Sequence, residues 1–396
     1  MYCTRKITGD ITWIGEFDRR KDLFEAVYPI PGGVSYNSYI LKSEGVNIVF
    51  DTVDEAVSQT FFENIEHLLH GEKLHYLVVH HLEPDHSATI KQLTEKYKDV
   101  KIICSLKTSS MLYQFATIPN EIIIVNEGET LTIGGHELTF IMAPMVHWPE
   151  VMMTFDKTDG VLFSADAFGH FGTFSGEIFA NNVDFSRDFM DEARRYYCNI
   201  VGKYGVQVQN VLKKASSLPI KYICPLHGLT WKEEFGEILE KYNKWSTYTP
   251  EEDGVLIVYG SIYGGTENAA NIFAGILSQM GIKNEVFDAS VTHRSYLLAK
   301  AFQYSKLVIA SSTYNNGLFT PVEIFLNDLV SHGWKNRKVG IIENGSWAPV
   351  AAKCVKLALE GCKDICFTET IVTIKTKLKE EQLSDIKKLS EEINND

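Results

Sequence analysis

The residues of this chain whose types and spacing could carry chemistry are concentrated in the stretch VVHHLEPDHSAT, residues 78–89. It places His80, His81, Glu83, Asp85 and His86 within seven positions, directly after an apolar run. Imidazole and carboxylate groups are ligands that proteins offer to transition metals. Because one loop can surround a metal on one side only, the rest of a metal site has to come from elsewhere in the chain.

Three further candidate ligands each follow an apolar, strand-like run: His147 in LTFIMAPMVHWPE, Asp166 in GVLFSADAFG and His227 in KYICPLHGLTW. Strands of one layered sandwich bring their ends to a common rim. We therefore expect seven ligands to converge, and burying so many ionisable groups together without a metal would be costly. The seven candidates are His81, Glu83, Asp85, His86, His147, Asp166 and His227.

Four neighbouring residues are not assigned as ligands. His80 is expected to lie outside the set, because His81 is the histidine in register with Glu83 and Asp85. Asp51 in IVFDT is a candidate only for holding a ligand in place. Trp148 and His170 are close to ligands in sequence and carry no further signal.

A second constellation lies in VLIVYGSIYGGTENAA, where a strand is followed by a Gly- and hydroxyl-rich turn and a helix. Such a turn presents backbone N–H groups to a phosphate at the helix N-terminus. The patterns GxxxxGK[ST] and GxGxxG are both absent, which argues against a nucleoside triphosphate or a dinucleotide. Two later strand-end loops, residues 312–319 and 343–349, offer aromatic faces from Tyr314 and Trp347.

The elements that must position these residues divide the chain into two parts. Short strand-like runs mixed with helices fill the first part, among them the hairpins NSYILKSEGVNIVFDT and VMMTFDKTDGVLFSA and a helical stretch over residues 189–217. A Thr, Pro, acidic and Gly segment at 246–253 predicts a linker. Regular strand–helix alternation follows, which predicts a doubly wound parallel sheet of about five strands that binds ligands at the carboxyl ends of its strands. We place the domains at 1–249 and 250–396.

Composition narrows the function classes. The net charge of −13 argues against a nucleic-acid or anionic-membrane partner, since both need basic surface. The sequence has no apolar run of membrane-span length and no signal-peptide pattern, so we expect a cytoplasmic protein. Seven scattered cysteines without a CxxC pair exclude an iron–sulfur or rubredoxin-type module. Electrons would therefore reach the chain from outside.

The ligand pattern resembles the metallo-β-lactamase signature, HxHxDH followed by a later His, Asp and His. Glu83 stands where the zinc hydrolases carry a second His, which makes three of the seven ligands carboxylates and suits iron. Sixty residues separate His86 from His147, eighteen separate His147 from Asp166, and sixty separate Asp166 from His227. This spacing is similar to that of the flavodiiron proteins.

The second domain looks like a flavodoxin, with Tyr263 where the phosphate loop of flavodoxins has Thr. The resemblance therefore covers nearly the whole chain. It implies an N-terminal metallo-β-lactamase-like αββα sandwich and a flavodoxin-like five-stranded parallel sheet that binds FMN. The implied FMN contacts are Ser261, Ile262, Tyr263, Gly264, Gly265, Thr266, Ser312, Thr313, Tyr314, Asn315, Asn316, Gly317, Asn344, Gly345, Ser346, Trp347 and Ala348.

The resemblance also implies how the metals are shared. One iron would take His81, Glu83 and His147, the other would take Asp85, His86 and His227, and Asp166 would bridge them. The implied activity is reduction of dioxygen to water, of nitric oxide to nitrous oxide, or of both. Electrons would come through FMN from an external donor such as rubredoxin or a flavin/NADH reductase. The implied assembly is a head-to-tail homodimer or a dimer of dimers.

Two alternatives stay open. One is a dizinc hydrolase of thioesters or lactams with a regulatory flavin domain, which the identity of the bound metal would distinguish. The other is a redox sensor or electron carrier with a structural metal site. Seven ligands for two metals leave coordination positions open, which structural sites normally lack. The sequence does not separate oxygen from nitric oxide as the preferred substrate.

Overall fold

The computed structural model of the protein describes residues 2–395. The chain forms two compact units. The first runs up to Tyr197 and includes Val206–Tyr242, and the second comprises Cys198–Gly205 together with the chain from Asn243 onwards. In the described residues, no helix combines the length and apolarity that crossing a membrane requires.

The first unit contains a seven-stranded sheet in the order β1-β2-β7-β8-β9-β10-β11. Its strands are β1 (Arg5–Lys6), β2 (Ile11–Trp13), β7 (Tyr39–Ser43), β8 (Val46–Phe50), β9 (Tyr76–Val78), β10 (Lys101–Ser105) and β11 (Ile122–Val125). The first of the two predicted hairpins is β7–β8, and Glu44 and Gly45 form its two-residue turn, both with positive φ. Two such residues are what a type I′ turn requires.

A six-stranded sheet forms the second layer of this unit, in the order β12-β13-β14-β15-β16-β17. Its strands are β12 (Thr130–Ile133), β13 (His136–Met142), β14 (Met152–Asp156), β15 (Val161–Phe163), β16 (Tyr222–Cys224) and β17 (Trp231–Lys232). Phe50 of β8 stacks on Phe163 of β15 with ring centroids 3.9 Å apart, so the two sheets pack face to face. Two small antiparallel pairs complete the strands, β3 (Glu16–Asp18) with β6 (Val34–Tyr36) and β4 (Leu23–Phe24) with β5 (Tyr28–Pro29).

The helices of the first part of the chain connect these strands. They are α1 (Ser58–Leu69), α2 (Pro84–Ser87), α3 (Ile90–Lys96), α4 (Leu106–Phe115), α5 (Phe185–Asp188), α6 (Met190–Tyr196), α7 (Gly205–Ala215) and α8 (Gly236–Thr247). The predicted helical stretch over 189–217 comprises α6 and α7 and, between them, a π-helical segment (Tyr197–Val201) and a 3-10 turn (Gly202–Tyr204). With its two mixed sheets and these helices, the first unit has the predicted metallo-β-lactamase-like fold.

The second unit contains a five-stranded sheet in the order β19-β18-β20-β22-β23, with every neighbouring pair parallel. Its strands are β18 (Glu252–Gly260), β19 (Asn284–Asp288), β20 (Tyr304–Tyr314), β22 (Arg337–Asn344) and β23 (Ile365–Ile374), and the short β21 (Gly317–Leu318) folds back on the end of β20. This is the predicted doubly wound, flavodoxin-like order. The connection between α8 and β18 is residues 248–251, shorter than the predicted linker, because the helix and the strand extend into it.

Five helices cover this sheet: α9 (Gly265–Gln279), α10 (Arg294–Gln303), α11 (Thr320–Ser331), α12 (Ala351–Ala358) and α13 (Leu383–Asn394). Helices α9 and α13 pack on one face, where Phe273 and Leu277 meet Ile386 and Leu389 over the buried strand residues. Helix α11 contacts both α10 and α12, and all three helices pack against strands of the sheet. The helix α9 begins directly after β18, so its N-terminus lies at the carboxyl edge of the sheet.

Candidate functional site

A first cluster of ligand-type side chains comprises His81, Glu83, His147 and Asp166, whose ligand atoms lie within 4.8 Å of one another. Nε2 of His147 is 3.0 Å from Glu83 Oε2 and 3.0 Å from Asp166 Oδ2. Nε2 of His81 is 3.3 Å from Nε2 of His147. Four donors therefore surround one point, as the ligands of a single metal would.

A second cluster comprises Asp85, His86 and His227. Nε2 of His86 and Nε2 of His227 are 3.0 Å apart, and Asp85 Oδ2 is 3.3 Å from the latter. Asp166 joins the two clusters, since its Oδ1 is 3.2 Å from Nε2 of His86 while its Oδ2 faces the first cluster. The structure thus brings together all seven side chains singled out in the sequence.

Strand ends of both sheets position these side chains. The loop after β9 supplies the first four and begins the short helix α2 at Pro84, which places Asp85 in its first turn. His147 lies between β13 and β14, Asp166 follows β15, and His227 follows β16. Each site residue is therefore on a connection that leaves the buried core at one rim of the sandwich.

The charges of the clusters are suited to bound cations. The oxygens of Asp85 and Asp166 are buried and accept no hydrogen bond from any residue in the range 2–395. A buried carboxylate without a hydrogen-bond partner is costly unless a cation compensates it. Together with four imidazole Nε2 atoms that converge on these oxygens, the residues present fit a pair of metal ions.

Without a bound metal, protonated histidines supply positive charge at the clusters. Burial alone would lower the pKa of His81, but the carboxylates of Asp166, Glu150 and Glu83 raise it well above the usual range. Burial also opposes protonation of His147, yet its contacts with Asp166 and Glu83 raise its pKa to about 9. Conversely, His86, His147 and His81 hold the pKa of Asp166 well below its ordinary value, although burial opposes that shift. Because metal binding requires deprotonated imidazole, it would release these protons.

Two groups that the sequence analysis missed hold the imidazole rings in place. Nδ1 of His81 is 2.9 Å from Glu150 Oε1, which also accepts the backbone N–H of Leu82 at 3.0 Å. Nδ1 of His227 is 2.8 Å from the carbonyl oxygen of Ser35. These contacts leave Nε2 of both rings directed at the clusters. The only sequence signal for Glu150 is that it follows His147 by three residues.

The ligand loop is also held by its backbone. The carboxylate of Asp51 accepts the N–H of His80 at 2.7 Å, and Thr52 donates its N–H and its hydroxyl to the carbonyl of His86 at 3.1 and 2.7 Å. The ring of His80 faces away from the clusters, with Nδ1 2.5 Å from Asp51 and Nε2 2.7 Å from the hydroxyl of Thr154. Asp51 therefore contacts the loop and no cluster atom, which matches the supporting position expected for it.

Aromatic side chains wall the second cluster. Rings of Phe24, Tyr36 and Tyr196 lie 5.3, 5.8 and 5.6 Å from the ring of His227. The hydroxyl of Tyr196 is buried and has no hydrogen-bond partner among residues 2–395. Burial and the nearby carboxylates raise the pKa of this phenol well above its usual range. It remains protonated beside the centre and is available as a hydrogen-bond donor.

His170 and Trp148 have different surroundings. Nδ1 of His170 is 2.7 Å from the carbonyl of Phe171, and its Nε2 accepts the N–H of Leu229 at 2.9 Å. Burial lowers the pKa of His170 to about 4, so the ring is neutral and both nitrogens are already engaged. Trp148 lies edge-on to His81 with ring centroids 5.3 Å apart.

The predicted flavin loops meet at the carboxyl edge of the five-stranded sheet. The hydroxyl of Thr266 is 2.8 Å from that of Ser312 and accepts the side-chain N–H of Asn344 at 3.2 Å, which ties the three loops together. Asn315 and Asn316, both with positive φ, form the tight turn between β20 and β21. Residues 312–314 were expected in a loop but belong to a strand, because β20 extends to Tyr314.

The first loop has the features of a phosphate cradle. Gly264 has φ +83°, and helix α9 begins after it without a side chain capping its first N–H groups. A Cβ at Gly265 would lie 2.1 Å from the carbonyl oxygen of Thr376, so only glycine allows this approach. The side chains of Tyr263 and Trp347 are 98% and 90% exposed, although both are large and aromatic. These loops fit a flavin mononucleotide, with uncapped amides for the phosphate and aromatic faces for the ring.

Comparisons with known proteins agree with these observations. The family model described as ODP family beta lactamase matches residues 34–228. The anaerobic nitric oxide reductase flavorubredoxin of Vibrio vulnificus is 30% identical over 381 residues, which covers 94% of this chain and 76% of that relative.

Solved structures agree over nearly the whole chain. The flavodiiron protein from Giardia intestinalis superposes with a TM-score of 0.93 at 25% identity and covers 99% of this chain and 96% of its own. The rubredoxin oxygen:oxidoreductase from Desulfovibrio gigas has the same fold, with a TM-score of 0.91 at 24% identity, and covers 99% of this chain and 98% of its own.

Proposed function

Because this chain belongs to the flavodiiron protein family, a family of oxidoreductases, we propose that it reduces dioxygen to water, nitric oxide to nitrous oxide, or both. The reactions are O2 + 4 e− + 4 H+ → 2 H2O and 2 NO + 2 e− + 2 H+ → N2O + H2O. The observation that carries the proposal is the pair of clusters joined by Asp166, with buried carboxylate oxygens that accept no hydrogen bond within residues 2–395. The metal is proposed to be iron, because Glu83 adds an anionic oxygen donor to a set that already contains Asp85 and Asp166.

The proposed ligand sets follow the geometry of the two clusters. His81, Glu83 and His147 would hold one iron, and Asp85, His86 and His227 would hold the other, with one oxygen of Asp166 toward each. When bound, two irons and one FMN together store four electrons, the number that reduces one dioxygen to two waters, and the irons provide binding positions for the gas.

The chain's own groups around the clusters hold protons and exclude water. Glu150 and the carbonyl of Ser35 keep the protons of His81 and His227 on Nδ1, so Nε2 stays available to the metal. The rings of Phe24 and Tyr196 close one side of the second cluster and leave the Tyr196 hydroxyl as a donor there.

Electrons would come from a separate donor such as rubredoxin or a flavin/NADH reductase. The names of two relatives, flavorubredoxin and rubredoxin oxygen:oxidoreductase, support a donor of this kind. The proposed FMN contacts are the loops 261–266, 312–317 and 344–348, which the side chains of Thr266, Ser312 and Asn344 link to one another. The proposed assembly is a head-to-tail homodimer, in which the flavin of one chain serves the irons of the other.

The test is gas consumption by iron-loaded protein that contains FMN, with oxygen and nitric oxide compared under one chemically reduced donor. We expect consumption of at least one gas, with water or nitrous oxide as the product. Protein made with iron available that nevertheless carries two zinc ions, hydrolyses esters and consumes neither gas would contradict the proposal and support the dizinc alternative.

A further inference from the structure

The two clusters of the candidate centre differ in what supports their histidines. In the first, Nδ1 of His81 faces a carboxylate, that of Glu150. In the second, Nδ1 of His227 faces a neutral carbonyl, and Nδ1 of His86 has no hydrogen-bond partner within residues 2–395. Among residues 2–395, the carboxylates that are candidate ligands of one cluster only, or that hydrogen-bond a ligand ring, are therefore Glu83 and Glu150 in the first cluster and Asp85 in the second. Asp166 is common to both.

The contact between Glu150 and His81 is well defined. Glu150 is 2% exposed and His81 is fully buried, so little water screens the interaction. One oxygen, Oε1, receives both the His81 ring N–H and the backbone N–H of Leu82, while Oε2 has no hydrogen-bond partner in the part of the chain that is described. The hydroxyls of Ser105 and Thr108 hold the backbone carbonyl of Glu150 at 3.3 and 3.2 Å.

A carboxylate that accepts the Nδ1–H of an imidazole makes the Nε2 atom of that ring a stronger donor to a metal. We propose that Glu150 is a positioning residue that makes the two metal positions chemically unequal, with the metal on His81 the more electron-rich and the harder to reduce. This inference rests on the proposed di-iron function and adds to it a division between the two irons. It concerns a residue that touches a ligand and neither the metal nor the substrate.

The test variant is Glu150→Gln, which keeps an oxygen to accept both N–H groups and removes the charge. The control is Glu127→Gln, because Glu127 and Glu150 both line one groove of about 260 Å³. Glu127 contacts the N–H of Met142 and the ammonium of Lys214 but no candidate metal ligand. Both variants are made in the full-length protein and loaded with 57Fe. The readouts are the Mössbauer spectrum and the two reduction potentials of the iron centre.

Wild-type protein should show two distinct iron environments. In Glu150→Gln, one of the two quadrupole doublets should move while the other stays, and the lower of the two potentials should rise. Glu150→Asp, which keeps the charge, should lie closer to wild type, and Glu127→Gln should be indistinguishable from it. Full iron loading with a Glu150→Gln spectrum and potentials that superimpose on those of wild type would overturn the inference.

A second measurement covers the case in which Glu150→Gln takes up iron poorly. Titration of the metal-free full-length proteins with Co2+ alone should show two binding steps, and Glu150→Gln should weaken one of them by roughly 10–100-fold. Equal weakening of both steps, or of neither, would overturn the inference. Neither measurement depends on gas reduction. A wild type with two unequal metals and no gas consumption would refute the proposed function alone, and a wild type that binds no metal pair would refute both.

Discussion

Asp166 is the side chain through which the two clusters of the centre communicate. Its Oδ2 lies 3.0 Å from Nε2 of His147, whereas its Oδ1 lies 3.2 Å from Nε2 of His86. Neither oxygen accepts a hydrogen bond from a residue between positions 2 and 395, and imidazole rings of both clusters face them. The Asp166 carboxylate thus faces both clusters. Each cluster has two histidines, so the clusters differ in the other carboxylates that belong to each.

Glu83 is the carboxylate that sets the ligand pattern apart from that of a zinc hydrolase. We predict that Glu83→His lowers iron retention and raises zinc uptake, because it replaces a hard anionic oxygen by a neutral nitrogen. Elemental analysis of protein grown with both metals available measures the change. Iron content and gas reduction equal to those of wild type would show that the preference for iron does not depend on Glu83.

At this scale, residue types and local spacing were informative and long-range partners were not. The seven candidate ligands could be named because each follows an apolar strand, and strand ends of a sandwich share a rim. Glu150 and Ser35 could not be paired with their histidines, since Glu150 lies 69 positions after His81 and Ser35 lies 192 positions before His227. In the second case the acceptor is a backbone carbonyl, which no residue type encodes.

Among the elements, the turns opposite the ligand loops are linked through His136, the first residue of β13. Its Nδ1 is 2.8 Å from Asp156 at the end of β14, and its Nε2 is 3.3 Å from Asp10 in the connection between β1 and β2. The hydrogen bond to Asp156 raises the pKa of His136 to about 9, although burial opposes the shift. The protonated ring of His136 therefore connects the start of β13 with the end of β14 and with the turn between β1 and β2.

This link predicts a pH dependence of stability. The pKa of His136 is above its unfolded value of about 6.5, so the stabilisation is complete below that pH and is lost as the pH rises through about 9. We expect a loss on the order of 1 kcal/mol after allowance for solvent screening. Urea unfolding of wild type and His136→Gln at pH 6 and pH 9.5 measures it. An equal pH dependence in both proteins would contradict the assignment to His136.

The phosphate loop allows a matched pair of substitutions in one helix. Gly265→Ala would place a Cβ 2.1 Å from the Thr376 carbonyl and 3.3 Å from the Asn344 amide, so the loop would have to shift. Gly275, also in α9, has no atom within 4 Å of its position for a Cβ. We predict that Gly265→Ala weakens FMN binding by at least about tenfold, or about 1.4 kcal/mol, and that Gly275→Ala does not. Titrations followed by flavin fluorescence would measure the FMN affinity of both variants. Equal affinities would contradict a phosphate site at this loop.

The helical stretch over 189–217 shows what the sequence pattern predicts of an element and what it leaves out. Its apolar pattern predicts helix throughout, and α6 and α7 do occupy most of it. Between them the chain stays helical but changes type, with a π-helical segment over Tyr197–Val201 and a 3-10 turn over Gly202–Tyr204. A Cβ on Gly205 would be 2.3 Å from the carbonyl of Ser246, and the hydroxyl of Tyr248 donates to the carbonyl of Gly202. These contacts come from more than forty residues away in the chain, so the local pattern predicts helix there but not the change in helix type.

For the whole molecule, the main prediction concerns transfer between chains. One variant lacks the metal ligands, with His81→Ala and His147→Ala, and another carries Gly264→Asp, whose carboxylate would repel the FMN phosphate. Neither homodimer should reduce gas. After the two are unfolded and refolded together, roughly half the dimers should be mixed by random pairing, and activity should return to about a quarter of wild type. Confirmed mixed dimers without activity would contradict electron transfer between chains and leave both cofactor sites as proposed.

The short connection 248–251 has a consequence for dissecting the protein with proteases. Arg337 donates to the carbonyl of Tyr248 at 2.7 Å, and the hydroxyl of Tyr248 donates to the carbonyl of Gly202 at 2.8 Å. The segment Cys198–Gly205 therefore belongs to the second unit although its neighbours on both sides belong to the first. A single cut in the connection should leave two fragments that co-elute in native size-exclusion chromatography and separate only in denaturant. A gene fragment that starts at residue 250 would lack the contact of Arg337 with Tyr248, which a fragment that starts at Asn243 keeps, and should be the less stable of the two.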